Sequence, residues 1–159
     1  MKITSAGDYL KHGLLICLLI TLSNFVSAQG QEAAIQATVD KLFDGMRSGD
    51  STALRSVFAP QSVLTSISFN AQDSVITHQG KTEEFIAAVA KPHPEKWDER
   101  IYEVKMMVDG PMAMVWAPYK FYLGEKFSHC GVNMFTMIKT PQGWRITAIT
   151  DTRRKTDCL

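Results

Sequence analysis

Three turn signals, Asp109-Gly110-Pro111, Leu123-Gly124-Glu125 and Thr140-Pro141-Gln142-Gly143, cut the last third of the chain into four long segments. These are Trp97–Val108, Met112–Leu123, Phe127–Lys139 and Trp144–Arg154, all β-rich and long for strands. Consecutive strands joined by short turns pair antiparallel, so this part of the chain is expected to form a meander. Within it, Met112–Leu123 is apolar on both alternating faces. Met112, Met114, Trp116 and Tyr122 interleave with Ala113, Val115, Tyr119, Phe121 and Leu123. A sheet with one wet face alternates more cleanly, so one face should pack on helices and the other on a second copy of the protein, a homodimer formed through the sheet.

The helices come from the part before the meander. Ile35, Val39, Leu42, Phe43 and Met46 recur at helical spacing, the stripe of a helix buried on one face. Gly49-Asp50-Ser51 ends it and offers a cap for a short second helix carrying Leu54, Val57 and Phe58, stopped before Pro60. Ser62–Phe69 and Ser74–Gly80 read as a hairpin around Asn70-Ala71-Gln72-Asp73, with Val63, Thr65, Ile67 and Phe69 on one side of the first strand. Thr82 can cap a third helix that has Glu83 and Glu84 in its first turn and ends at Lys91-Pro92-His93-Pro94.

Before Gln29 the chain has the three-part form of a secretory signal. Lys2 and Lys11 lie in a leader, Gly13–Leu22 is a short apolar core, and Val26-Ser27-Ala28 is a small-residue cleavage site. Residues 1–28 are therefore expected to be removed, leaving one domain over 29–159 with a periplasmic or secreted location and no stable membrane anchor. The apolar core is far shorter than the roughly 20 residues a membrane-spanning helix needs. Removing Lys2, Lys11 and Asp8 from the 17 basic and 16 acidic residues leaves the two in balance. Such a chain has no global electrostatic case for binding nucleic acid.

The stretch Lys126–Phe135, "KFSHCGVNMF", sets polar groups inside a strand. Neighbouring side chains on a strand point to opposite faces, so His129 cannot serve Cys130 as a base for nucleophilic attack. His129, Gly131, Asn133 and Phe135 share one face; Cys130, Val132 and Met134 share the other, where Cys130 reads as a small buried hydrophobe. The turn at Pro141-Gln142 makes paired residue numbers on the last two strands sum to about 283 or 284. With the larger sum Asn133 lies opposite Asp151, and His129, Asn133, Asp151 and Arg153 fall on one face. With the smaller, Asn133 lies opposite Thr150. Either leaves Cys158 well beyond Cys130, so two free thiols are expected unless the tail folds back. No His-Glu-x-x-His or Cys-x-x-Cys spacing marks a metal site, and no metal or cofactor is expected.

The order of elements, together with "WDERIYEV", "DGPMAMVWAPYKFYLGEKFSHCGVNMFTMIKT" and "GWRITAITDTRRK", resembles the nuclear transport factor 2-like superfamily and its bacterial branch labelled putative lumazine-binding. The resemblance covers roughly Ala33–Lys155. It implies an α+β fold, a cone-shaped curved antiparallel sheet wrapped around about three helices, with an internal pocket. The superfamily holds both binding proteins and enzymes, so fold does not choose the chemistry. The leading expectation is an exported protein binding a small, partly aromatic molecule, with Trp116, Tyr119, His129, Asn133, Asp151 and Arg153 as the ligand-binding set. Two alternatives stand beside it. One is a cofactor-independent lyase, isomerase or hydrolase, for which the resemblance implies an aspartate or histidine base, here Asp151 or His78. The other is a module whose exposed sheet face binds a protein partner.

Overall fold

The computed structural model describes residues 29–159; the leader expected over residues 1–28 lies outside the described residues. Helix α1 runs over 29–48. Residues 29–34 are its first turns, and the compact unit begins at Ile35 and ends at Leu159. Within that unit the helical stripe is buried as its spacing predicts, with Ile35, Val39, Leu42, Phe43 and Met46 all in the core. Each such side chain contributes about 1.5–3 kcal/mol by leaving water, which outweighs the weak helix preference of any one residue. Gly49 closes α1 with φ +70°, a conformation most comfortable without a Cβ. Asp50 then caps α2 (Ser51–Val57): its Oδ1 accepts from the backbone N–H of Thr52 and of Ala53, each at 2.9 Å.

The chain passes directly from α2 into β1 (Phe58–Phe69), so Pro60 lies in a strand rather than after a helix. Proline is tolerated there because pairing with the neighbouring strand shifts between Phe58 and Val63. Asn70 builds the turn to β2 (Val75–Lys81) by accepting from the N–H groups of Gln72 and Ser74. Helix α3 (Thr82–Val89) follows with Glu83 and Glu84 in its first turn. Thr82 does not cap it, contrary to expectation. Its hydroxyl donates instead to the carbonyl of Ser62 at 2.9 Å, tying the helix to β1.

The segment expected as one strand over Trp97–Val108 is two: β3 (Trp97–Ile101) and β4 (Lys105–Asp109). Both pair with β5 (Met112–Leu123), β3 along its later half and β4 along its earlier half. The break falls opposite Pro118, which has no N–H to offer; Tyr102 N–H donates to the Pro118 carbonyl at 3.0 Å, and Glu103 turns with φ +47°. Strands β6 (Lys126–Thr140) and β7 (Gly143–Thr152) complete the meander. The sheet runs β2-β1-β7-β6-β5-β3, with β4 also on β5. All pairs are antiparallel except β1 with β7, which is parallel, so the seven-stranded sheet is mixed.

Both registers expected between β6 and β7 occur. Near the turn Ile138 faces Arg145 and Met137 faces Ile146, the smaller sum; beyond a shift between Thr136 and Met137 the larger sum holds and Asn133 faces Asp151. The extra residue is Thr147, whose hydroxyl donates to the Thr136 carbonyl at 3.0 Å. A bulge of this kind re-aims every side chain after it.

The inner sheet face carries Ala113, Val115, Ala117, Phe135, Met137 and Ile146 into the core, where the Phe43 ring meets Phe135 edge-on at 6.2 Å. The outer face exposes apolar residues: Met107 is 68% exposed, Trp116 47% and Met112 47%. On β1 the inward residues are Leu64 and Ser66, while Val63 and Phe69, on the alternating apolar row of the sequence, are exposed.

The expectation of two free thiols is overturned, because Cys130 and Cys158 form a disulfide. After β7 the ladder continues for one more pair, Cys130 with Arg154, bonded in both directions at 2.8 and 2.9 Å. Asp157 then turns with φ +52°, its carbonyl held by Arg154 Nε at 2.9 Å, which brings Cys158 back to a Cα–Cα distance of 5.8 Å from Cys130.

Candidate functional site

Between the inner sheet face and the helices lies a cavity of about 580 Å³, within the range of small-molecule sites. Its walls are apolar. Leu42, Phe43 and Met46 come from α1, Phe85 and Ala88 from α3, Trp97, Phe121 and Leu123 from β3 and β5, and Leu64, Phe135 and Ile149 from the opposite side of the sheet. Its polar groups are Ser66, Glu99, Tyr119, His129, Asn133, Asp151 and Arg153. They come from β1, β3, β5, β6, β7 and the residue just after β7, which present alternate residues inward.

Asp151 is 8% exposed and its carboxylate is fully engaged. Oδ1 accepts from Ser66 Oγ at 2.6 Å; Oδ2 accepts from Arg153 Nε at 2.8 Å and from the Tyr119 hydroxyl at 3.3 Å. That hydroxyl also donates to the Thr152 carbonyl at 2.9 Å. Burial, with Asp151 and Glu99 close by, pushes the Tyr119 pKa well above the usual phenol range, so it stays a neutral donor. Gly131 makes this geometry possible. A Cβ there would lie 1.7 Å from the Thr152 oxygen and 2.9 Å from the Tyr119 ring, so only glycine lets the ring cross to that carbonyl.

Glu99 is arranged differently. Its Oε1 accepts from Asn133 Nδ2 at 2.6 Å, and among the described residues Oε2 has no partner. Burial raises its pKa to about 7, a rise that the Asn133 hydrogen bond and the Arg153 charge oppose and the nearby Asp151 carboxylate reinforces. Two carboxyls in one cavity are thus set apart: Asp151 is paired, and Glu99 is poised between its acid and its anion. His129 sits against the rings of Tyr119 and Phe121, at 5.7 and 5.0 Å, with Ser128 Oγ 3.1 Å from Nδ1. Burial, together with Arg153, lowers its pKa and keeps it neutral near pH 7.

Of the residues named from sequence, the structure brings Tyr119, His129, Asn133, Asp151 and Arg153 together around this cavity. Two named residues are elsewhere. Trp116 lies on the outer face, in register with Lys105 and Met134, because the inward row of β5 runs through Val115 and Ala117. His78 lies exposed on the edge strand β2, opposite Ser66, and does not line the cavity. Glu99 was missed, since "WDER" reads as a solvated strand edge. The signal was present nonetheless: Trp97, Glu99 and Ile101 form one alternating row, so a single charged residue stands between two large apolar ones. His93, in the proline-flanked segment after α3, stacks on Trp97 at 4.1 Å between centroids. Among the described residues no group of His, Cys, Asp or Glu could hold a metal ion, and no helix is long and apolar enough to cross a membrane.

A sequence model of the family described as putative lumazine-binding matches residues 30–150. The chain belongs to the putative lumazine-binding family. No curated protein sequence matches it. Solved structures show that the chain has the nuclear transport factor 2-like fold. A nuclear transport factor 2-like protein with a cystatin-like fold from Novosphingobium aromaticivorans superposes with a TM-score of 0.69 at 15% identity, covering 85% of this chain and 89% of that one. A nuclear transport factor 2-like superfamily protein from Salmonella enterica serovar Typhimurium gives 0.62 at 15% identity over 82% and 95%. One titled a putative dehydratase from Streptomyces avermitilis gives 0.59 at 16% identity over 82% and 99%. At such identities the likeness is one of fold.

Proposed function

We propose that this member of the putative lumazine-binding family is an exported protein that binds a small, partly aromatic molecule in the cavity. The observation that carries this reading is the cavity itself: apolar and aromatic walls around a few convergent polar groups, the usual composition of a ligand site. Export is supported by the leader pattern of residues 1–28 and by the Cys130–Cys158 disulfide, a bond that persists in oxidising compartments. The exposed apolar row of Met107, Met112, Met114 and Trp116 supports pairing with a second copy through the outer sheet face.

Native mass spectrometry of protein purified without denaturant should find a small molecule retained, or binding of added lumazine. Ile149→Trp, which fills the cavity, should abolish either while the far-ultraviolet circular dichroism is unchanged. Retention undiminished in Ile149→Trp, or an empty protein that also ignores lumazine, would defeat the reading.

A second reading, a cofactor-independent lyase, isomerase or hydrolase, is favoured by one feature. Glu99 has an unpartnered oxygen facing the cavity and titrates near pH 7, as a general acid or base requires. In that reading Glu99, rather than His78, moves the proton, and Asp151 holds Tyr119 and Arg153 in place.

A further inference from the structure

We infer that the cavity is a site for an aromatic amine, with the Glu99 carboxylate as the countercharge to the ligand's cationic nitrogen. This names the ligand class and rests on the cavity being a small-molecule site.

The argument is one of charge and hydrogen-bond accounting. Around Glu99 the facing groups are Arg47 from α1, Asp98 on its own strand, Tyr119 from β5, His129 and Asn133 from β6, and Asp151 and Arg153 from β7 and the residue after it. Arg47 donates to the backbone carbonyl of Glu99 at 3.1 Å and pairs with Asp44 and Asp98, so it does not neutralise the Glu99 carboxyl. Arg153 gives its Nε to Asp151; its charge also favours the Glu99 anion through space, but among the described residues it makes no ion pair with Glu99. His129 is neutral near pH 7, and Tyr119 donates to Asp151 and Thr152. An ionised Glu99 is therefore a negative charge in a largely apolar chamber that, among the described residues, makes no ion pair with a cation of the protein. Its Oε2 and the Oδ1 of Asn133, neither with a protein partner among the described residues, are the acceptors left open. No fully buried side-chain atom among the described residues lacks a partner, so these acceptors are open to the cavity, and a ligand ammonium supplies an opposite charge and donors for them.

The walls suit the same guest. Trp97, Phe121 and Phe135 offer ring faces and edges to an aromatic body, and rings attract a desolvated cation. An anionic ligand meets two carboxyl groups and one guanidinium, whose Nε is already given to Asp151. A neutral ligand leaves Glu99 either protonated or uncompensated.

The test uses the protein residues 29–159 and three probes on one ring frame: naphthalen-1-ylmethylamine, naphthalen-1-ylmethanol and naphthalene-1-carboxylate, followed by isothermal titration calorimetry. At about pH 8, where Glu99 is ionised, the amine should bind roughly tenfold or more tightly than the alcohol, and the carboxylate weakest. The preference for amine over alcohol should shrink as pH is lowered towards about 5, because Glu99 then takes up a proton. Glu99→Gln should remove the preference for amine over alcohol, leaving the two with similar affinities for the variant. Equal affinities of amine and alcohol for the unaltered protein at about pH 8, or an amine preference that survives Glu99→Gln in a folded variant, would overturn the assignment while keeping the cavity as a binding site. If no probe binds, the assignment fails together with the binding reading. The comparison of probes on the unaltered protein decides the matter even if the variant does not fold.

Discussion

Glu99 shows how one residue couples the site to the stability of the fold. Its pKa rises from the usual carboxyl range to about 7 on folding, so between these values the native state holds a proton that the unfolded chain has released. Stability must therefore fall as pH rises through that window and level off above it. The part of this effect that falls between about pH 5 and pH 8 corresponds to roughly 2–3 kcal/mol. Denaturant titrations between about pH 5 and pH 8 should show the unaltered protein losing that amount from this group, while Glu99→Gln loses far less and is the more stable of the two at the upper end. Equal pH dependence in the two proteins would mean that Glu99 is ionised at little cost. His129 acts in the opposite direction: its lowered pKa makes the native state resist protonation, so it withdraws stability only on the acid side of the ordinary histidine range. Both effects follow from burial, which the residue alone does not announce. His129 and Asn133 could be placed on one face of β6 by alternation, whereas Asp151 depended on an open register and Glu99 stood in a charged run whose inward member only the apolar residues on either side of it identify.

At the scale of elements, the C-terminal tail departs most from what its sequence suggests. Extrapolating the β6–β7 ladder sends Cys158 away from Cys130; the turn at Asp157 returns it. Closing a loop with a sequence separation of 28 should contribute about 3–4 kcal/mol by restricting the unfolded chain. Thermal unfolding with and without reductant, and of Cys158→Ser, should show a loss of that order. Thiol titration of the non-reduced protein 29–159 should find neither cysteine free, and two reactive thiols would refute the pairing. The tail follows Arg153, whose Nε holds Asp151, so the disulfide secures the strand end that carries part of the polar group set. The split of the expected Trp97–Val108 strand has a local cause that was visible in retrospect, since Pro118 on the partner strand interrupts the ladder where β3 and β4 part.

For the whole molecule, the same strand β5 serves two surfaces. Its inward row of Ala113, Val115, Ala117 and Tyr119 is buried, and its outward row of Met112, Met114 and Trp116 joins Met107 and Ile138 in an exposed apolar area. If a second copy covers that area, Trp116→Glu should convert a dimer to a monomer in size-exclusion chromatography with light scattering, without altering binding in the cavity on the far side of the sheet. A monomer at micromolar concentration before any substitution would sink the proposed pairing. The helical stripe of α1, the Asp50 cap, the turns and the alternation along β5 and β6 were all determined by sequence, because each depends on local conformational preference and on the period of its apolar residues. Two matters were decided only by tertiary structure. The bulge at Thr147 chose, part-way along one hairpin, between registers that local chemistry leaves nearly equal, and so brought Asn133 opposite Asp151. The packing of residues distant in sequence around Glu99 raised the pKa of what reads as an ordinary surface carboxylate, since desolvation is a property of the surroundings and not of the residue.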